Sequence, residues 1–457
     1  MSLQFTIRTL TSVGCLHVSS PLDRGERLIL AGTSEGGEGT VTAYSTLTRR
    51  PKATSGPLPP VLSVGERSVE DSTDLNIRAN STSSVDEKNG SGNGNGPSEM
   101  VMVQHRGDLG LLCFYDTVEA AALPSRVPSP VSTDGDGAAV EGCVDGGFQS
   151  YPPPPISTRS MTFTKVSALG NFLLSPSSED DSFRLYELVG ESDGEGEGEG
   201  DDEGTKAPNA WKVVFEPLKQ DTRESSDPWK KRGMVTSLKI VSAVTLNRVL
   251  AAVGYEGGQL GLLLLSRSSA SDKFAVEAAE YFRPASKVGA ERGNTDPLLC
   301  LDSSKLSRRS FRIAAGFAGD NSEMSSKLTD REGGSRSKNK GKETDPGNKV
   351  GTVATLTVSI GDAPNYFDIE VHRMLRTCKL GENSFGKPGV NALGFNPSGN
   401  LLAVAGWDHR VRIFEGHGKK AAFLLKGHER AVRDIFWWDD SHLVSAGDDG
   451  RICVWEL

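Results

Sequence analysis

One pattern is written twice between residues 390 and 455. Residues 390–414 read VNALGFNPSGNLLAVAGWDHRVRIF and residues 432–455 read VRDIFWWDDSHLVSAGDDGRICVW. Each copy is an apolar strand, a polar turn, a strand ending in Ala-Gly, a tight acidic turn and an alternating third strand. Gly406 and Gly447, Asp408 and Asp449, and Phe414 and Trp455 all stand 41 residues apart. A period of roughly 40–45 residues with short antiparallel strands is the mark of a β-propeller blade.

The second copy carries a full set of polar residues for one buried hydrogen-bond chain. Gly427-His428 precedes its first strand, Ser445 stands near the end of the second, Asp449 in the turn and Trp455 at the end of the third. The spacing predicts that Asp449 accepts from the His428 ring and that the Ser445 hydroxyl links that ring to the Trp455 indole N–H. Every buried polar group then has a partner. This reads as a structural device of the WD-repeat kind and not as a catalytic one. The first copy keeps Asp408 but has Val404 and Phe414 where Ser and Trp would stand, and a blade that lacks the network still packs against its neighbours.

Five weaker units precede these two. Their strands read CLHVSS, RLILAGTS and GTVTAYS; then EMVMVQH and LGLLCFYDT; then SMTFTKVSA, NFLLSPS and DSFRLYELV; then MVTSLKIVS, RVLAAVGYEGG and QLGLLLLS; then LLCLDSS, FRIAAGFAGD and GTVATLTVS. Tyr115-Asp116 takes the place of Trp-Asp in the second unit, and Gly257 stands where the fourth would carry its turn aspartate. Alternation with β-branched residues, cut by Gly and Asp turns, predicts strands throughout.

Seven units need about 315 residues, and the rest of the 457 falls into four low-complexity inserts at 51–99, 119–157, 190–209 and 319–349. They are rich in Ser, Gly, Asn and Pro or in one sign of charge, with too little apolar surface to offset ordering entropy. The expected fold is all-β: a single seven-bladed propeller over residues 1–457. The last unit has three strands of its own, and the alternating segment FTIRTL at residues 5–10 is expected to pair beside residues 451–455 as its fourth, closing the ring and removing two edges.

Charge and cysteines narrow the class. The formal charge is −9, and the run ESDGEGEGEGDDE at 191–203 holds eight carboxylates and no base, so the remainder is near neutral. That argues against a nucleic-acid footprint. The 6 cysteines lie far apart with no Cys-x-x-Cys pair, several inside apolar strand-like runs, which points to a reducing compartment without disulfides or zinc. The beginning, MSLQFTIRTLTSVG, lacks the apolar segment of a signal peptide, and the run 260–265 is far too short to span a bilayer. A soluble intracellular protein is expected.

The 7 histidines are scattered singly, and no phosphate loop, Gly-x-Ser-x-Gly elbow or His-Glu-x-x-His is present. No cofactor, metal or catalysis is expected. Trp407-Asp408-His409-Arg410 matches the Trp-Asp-x-Arg pattern of ubiquitin-ligase receptors, but there the tryptophan ends the third strand, a place filled here by Phe414. A different recurrence points to partner binding. Gly254-Tyr255, Gly316-Phe317 and Gly406-Trp407 each place an aromatic ring after the second strand, so Tyr255, Phe317 and Trp407, with His409 and Arg410, are candidates for an exposed binding rim. The competing reading packs each ring against the adjoining blade. The acidic run 191–204 suits basic partners or simple solvation, and the basic run 327–349 suits nuclear import or a solubilising loop. Ser178 and Ser192, flanked by carboxylates, fit an acidophilic kinase.

The runs KPGVNALGFNPSGNLLAVAGWDHRVRIF, VLAAVGYEGGQLGLLLL and TLTSVGCLHVSS resemble the G-protein-β-subunit-like protein 1 / ASTRA-associated protein 1 family of WD-repeat proteins. The sequence differs from that family in its long inserts and in Gly-Gly where the fourth blade usually has Asp-Gly. The resemblance implies a non-catalytic adaptor for the cochaperone assembly that matures phosphatidylinositol-3-kinase-like kinases, linked to a chromatin-associated assembly. It implies protein partners, a monomer within a hetero-complex, and residence in nucleus and cytoplasm. A generic scaffold of a ubiquitin-ligase or chromatin complex stays open, as does a G-protein β-like subunit, although no heptad helix precedes the first strand.

Overall fold

The computed structural model describes residues 2–9, 11–19, 26–35, 38–55, 61–66, 99–105, 108–115, 147–150, 156–157, 164–178, 181–189, 210–217, 232–245, 247–267, 272–284, 296–319, 350–379, 389–415 and 420–457. Among them lie seven antiparallel sheets, six of four strands and one of five. Blade one is Val13–Val18, Leu28–Glu35, Glu38–Ser45 and Pro51–Thr54. Blade two is Val61–Glu66, Glu99–His105, Asp108–Tyr115, Gly147–Ser150 and Ile156–Ser157. Blades three and four begin at Ser167–Leu169 and Val235–Thr245, blades five and six at Leu298–Lys305 and Val390–Phe395. Blade seven holds Val432–Trp437, His442–Gly447 and Arg451–Glu456, and Ser2–Arg8 is its outermost strand. The pairing runs Phe5 to Val454, Thr6 to Cys453 and Ile7 to Ile452, as expected for a ring closed by the first segment of the chain.

Two of the expected inserts are shorter than the composition suggests. Pro51–Thr54 and Val61–Glu66 fall within 51–99, and Gly147–Ser150 and Ile156–Ser157 within 119–157. Val61–Glu66 is the innermost strand of blade two, so EMVMVQH is its second strand and LGLLCFY its third, where the Tyr115-Asp116 match to Trp-Asp requires it. The reason is length. Strands of two to six residues, each paired to one neighbour, are too short to show a period, and the Ser-, Pro- and Gly-rich flanks dilute their pattern. The ranges 190–209 and 321–349 lie outside the described residues.

The core forms apolar layers between adjacent sheets. Leu174 and Leu185 of blade three meet Val249 and Leu263 of blade four, whose other face sends Leu250, Leu262 and Leu264 against Phe311, Ile313 and Val358 of blade five. Ala314 and Val353 continue to Val404 and Phe414, Ile413 to Leu443 and Trp455, and Val444 and Ile452 to Leu16 and Ile29 of blade one. Covered on both faces, the middle strands lose strict alternation. That is why Leu260–Arg267 reads LGLLLLSR.

Neighbouring blades are also stitched together by side chains near the centre of the ring. Gln104 accepts from the Val166 N–H (2.8 Å) and donates to the Thr164 carbonyl (2.7 Å). Thr164 donates to Val235 O, and Ser167 accepts from Ile240 N–H at 3.0 Å. Thr236 donates to Leu298 O. Asp302 accepts from Phe395 N–H at 2.7 Å, Asn391 donates to Val432 O at 2.7 Å, and Asp434 accepts from Leu16 N–H at 2.9 Å. The innermost strands of blades one and two complete the circuit by packing directly. Across the centre, Lys165, just before blade three, reaches Asp434 of blade seven at 2.9 Å. Partial desolvation works to lower its pKa, but the Asp434 carboxylate beside it holds it above its ordinary value.

Candidate functional site

The polar chain of blade seven forms around Ser445. Its Oγ lies 2.9 Å from His428 Nε2 and accepts the Trp455 indole N–H at 2.9 Å. His428 Nδ1 lies 3.1 Å from Asp449 Oδ1. Because the indole can only donate, the serine oxygen accepts from it and gives its own proton to Nε2, which puts the ring proton on Nδ1 facing Asp449. Burial, foremost, pushes the His428 pKa down, in keeping with this neutral tautomer. Burial works to raise Asp449, but the Glu429 N–H, the His428 ring and the Arg451 N–H together hold it below its ordinary value.

Ser445, His428 and Asp449 are thus connected as in a hydrolytic triad. Ser445 has no exposed surface, and the His428 and Asp449 side chains are 1% and 4% exposed. No acyl group can reach that oxygen, and its lone pairs face an indole donor. The connectivity is catalytic in form and structural in effect.

Blade six solves the same problem differently. Val404 and Phe414 occupy the places of Ser445 and Trp455 and join the apolar layer. Asp408 takes a two-pronged ion pair from Arg412, at 3.0 and 2.6 Å, with both side chains nearly buried. Arg412 is a site residue that sequence reasoning missed. Its place four residues after an acidic turn was the available signal.

The expected aromatic rim does not form. Tyr255 and Phe317 are 2% and 1% exposed, so the packing alternative holds for both. Tyr255 packs against Tyr281, with the Arg232 guanidinium lying 3.5 Å from the Tyr281 ring and 5.8 Å from its own. Burial pushes its phenol well up. Phe317 enters the layer between blades four and five. An aromatic following the last small residues of a second strand still belongs to the sheet, so it points between blades.

Trp407 is different. Its ring is half-buried, lies over Gly389 where a Cβ would come within 2.6 Å, and donates to Asn391 Oδ1 at 2.5 Å. His409 and Arg410 beside it are exposed. His409 has φ 66°, matching Gly450 (φ 66°) in the corresponding turn of blade seven. A left-handed conformation suits glycine and strains a histidine. Ser178 is exposed in the turn after Phe172–Pro176; Ser192 and the runs 191–204 and 327–349 lie outside the described residues. Among the described residues no group of three His, Cys, Asp or Glu side chains could hold a metal ion, and no helix is long and apolar enough to cross a membrane.

Fold and network together define a WD-repeat β-propeller, and the WD domain, G-beta repeat family matches residues 379–415 and 419–456. Those are blades six and seven, the two legible in sequence. Mouse guanine nucleotide-binding protein subunit beta-like protein 1 is 34% identical over 70 residues, which is 15% of this chain and 22% of that protein. The zebrafish (Danio rerio) THO complex subunit 6 homolog is 29% identical over 76 residues, 16% of this chain and 24% of that one. The match thus spans less than a quarter of either relative. The Cps50 (Swd1) β-propeller domain of Myceliophteria thermophila superposes over 99% of this chain and 100% of its own, with a TM-score of 0.52 and 12% identity, a likeness of fold alone.

Proposed function

We propose that this chain is a non-catalytic WD-repeat adaptor that presents surface to protein partners, and that it serves the cochaperone assembly maturing phosphatidylinositol-3-kinase-like kinases. The observation that carries the first half is the fate of the chemistry-bearing residues. Among the described residues, the Ser-His-Asp relay of blade seven is sealed beneath Trp455, the turn residues Ser441 and Asp439 both face the same ring nitrogen of His442 and so form no relay, and the carboxylates of the innermost strands hold neighbouring blades together. A fold that uses its polar side chains in this way works through its surface. The second half rests on the resemblance, which the 34% identity to mouse beta-like protein 1 supports. Residence in both nucleus and cytoplasm belongs to the same reading.

Affinity purification of the tagged full chain, followed by mass spectrometry and cell fractionation, tests it. Recovery of the cochaperone subunits is the expected result. A ligase core, a G-protein γ subunit or a chromatin complex without the cochaperone would replace the specific role and leave the adaptor. No stable partner would remove both.

A further inference from the structure

The turn of blade six and the loop entering blade seven share one end of the ring. Trp407 donates to Asn391, and Asn391 donates to the Val432 carbonyl at 2.7 Å, which ties the turn to the first residue of the strand that the loop enters. The carboxylates at this end are engaged: Asp408 with Arg412, Asp448 with Arg433, Glu429 with Arg451, and Asp449 with His428 and two backbone N–H groups. Arg410, Lys426 and Arg430 are exposed and, among the described residues, have no carboxylate partner.

Three exposed cations without a carboxylate partner among the described residues give this end of the ring, which also carries a half-buried indole, a local positive excess. We propose that this surface, Trp407 and His409 flanked by Arg410, Lys426 and Arg430, docks an acidic protein segment, the guanidinium and ammonium groups taking its carboxylates and the indole an apolar residue between them. The inference rests on the adaptor reading and names the partner's chemistry. Charge complementarity favours a short acidic peptide over a nucleic acid. A phosphate backbone would run beyond these three cations onto a chain with no basic excess to hold it, whereas a segment of a few carboxylates ends where the patch ends. Electrostatic matching of this kind sets partner choice and salt dependence.

The test is fluorescence anisotropy with the purified full chain. The probe is a short fluorescein-labelled Asp/Glu-rich peptide containing a Phe-Leu pair, set against the same peptide with every acid changed to its amide. The acidic form binds, more weakly as salt rises, and Arg410→Glu with Arg430→Glu lowers its affinity by at least about tenfold. Arg50→Glu with Arg308→Glu, exposed at the opposite end of the ring, leaves it unchanged, and thermal melts confirm that both variants fold. Equal losses in the two variants, no loss in either, amide-peptide binding as tight, or tighter binding of a single-stranded oligonucleotide would each overturn the proposal. Affinity purification with the Arg410/Arg430 variant separates the two readings. Unchanged partner recovery sinks the surface and spares the adaptor role, whereas a wild-type chain that recovers no partner sinks the adaptor role and leaves the peptide result to decide the surface.

Discussion

Ser445 holds the blade-seven network together because a hydroxyl is the one small group that both gives and takes a hydrogen bond. Ser445→Ala therefore strands two buried groups, His428 Nε2 and the Trp455 N–H, each worth about 1–3 kcal/mol when unpaired. Chemical denaturation should register that loss. Copying the blade-six pair, Ser445→Val with Trp455→Phe, should cost less than the two single changes added together, because the second removes the donor that the first strands. The network also makes folding sensitive to mild acid. The folded pKa of His428 lies below its ordinary 6.5, so the unfolded chain binds the extra proton. Stability is lost as pH falls below 6.5, and the loss is complete once pH passes the folded value. Asp449, also lowered, adds a further loss only below its ordinary 3.8. Melts at successive pH values should show a drop from near 6.5 that His428→Gln lacks. At the rim, Tyr255→Ala should lower stability by about 3–5 kcal/mol, the range for a large buried ring. Trp407→Ala, half-exposed already, should cost clearly less, and equal costs would contradict the burial seen here.

The blade is the element through which the sequence speaks, and its legibility followed its chemistry. Asp449, His428, Ser445 and Trp455 could be placed from spacing alone because each buried polar group needs a partner at a fixed distance along the chain. Tyr255 and Phe317 could not, because an aromatic after Ala-Gly or Val-Gly looks the same whether it turns outward or slides between sheets. Only the neighbouring blade decides, with Leu298 lying against Gly254. The third strands of blades six and seven stood out by alternation, while Pro51–Thr54 and Val61–Glu66 vanished into polar surroundings. The stitches between blades were invisible for another reason: Gln104, Asp302 and Asp434 bond to backbone of the neighbouring blade, which comes near only when the sheets pack side by side. Asp434 offers the clearest test. Asp434→Ala strands the buried Leu16 N–H, at about 1–3 kcal/mol, and releases Lys165. Hydrogen exchange should then quicken at Leu16, on the far side of the junction between blades seven and one. Protection there equal to wild type would mean that the carboxylate holds nothing.

For the whole molecule the decisive junction is the one that joins residues hundreds of positions apart. Ser2–Arg8 covers the edge of Arg451–Glu456, Ile7 enters the layer shared with Val444, Val454 and blade one, and Thr9 N–H and Oγ1 both donate to the Gly450 carbonyl. In an open array of sheets the terminal units fray at small cost, since each contacts only its neighbours. In a closed ring no blade is terminal, so loosening one junction exposes both faces of an apolar layer and loads every other interface. Removing residues 1–10 should therefore lower the midpoint of a single cooperative transition instead of adding an early, partial one. Ile7→Ala alone should account for about 2–5 kcal/mol of it by truncating a buried side chain. Thermal and urea melts followed by both far-ultraviolet circular dichroism and tryptophan fluorescence distinguish the cases. Trp437, Trp438 and Trp455 report on blade seven and Trp211 on blade three, almost opposite. Coincident shifts in both probes mean a ring stabilised by its closure, whereas an early fluorescence change with the remaining strands intact would mean that the closing strand serves blade seven alone.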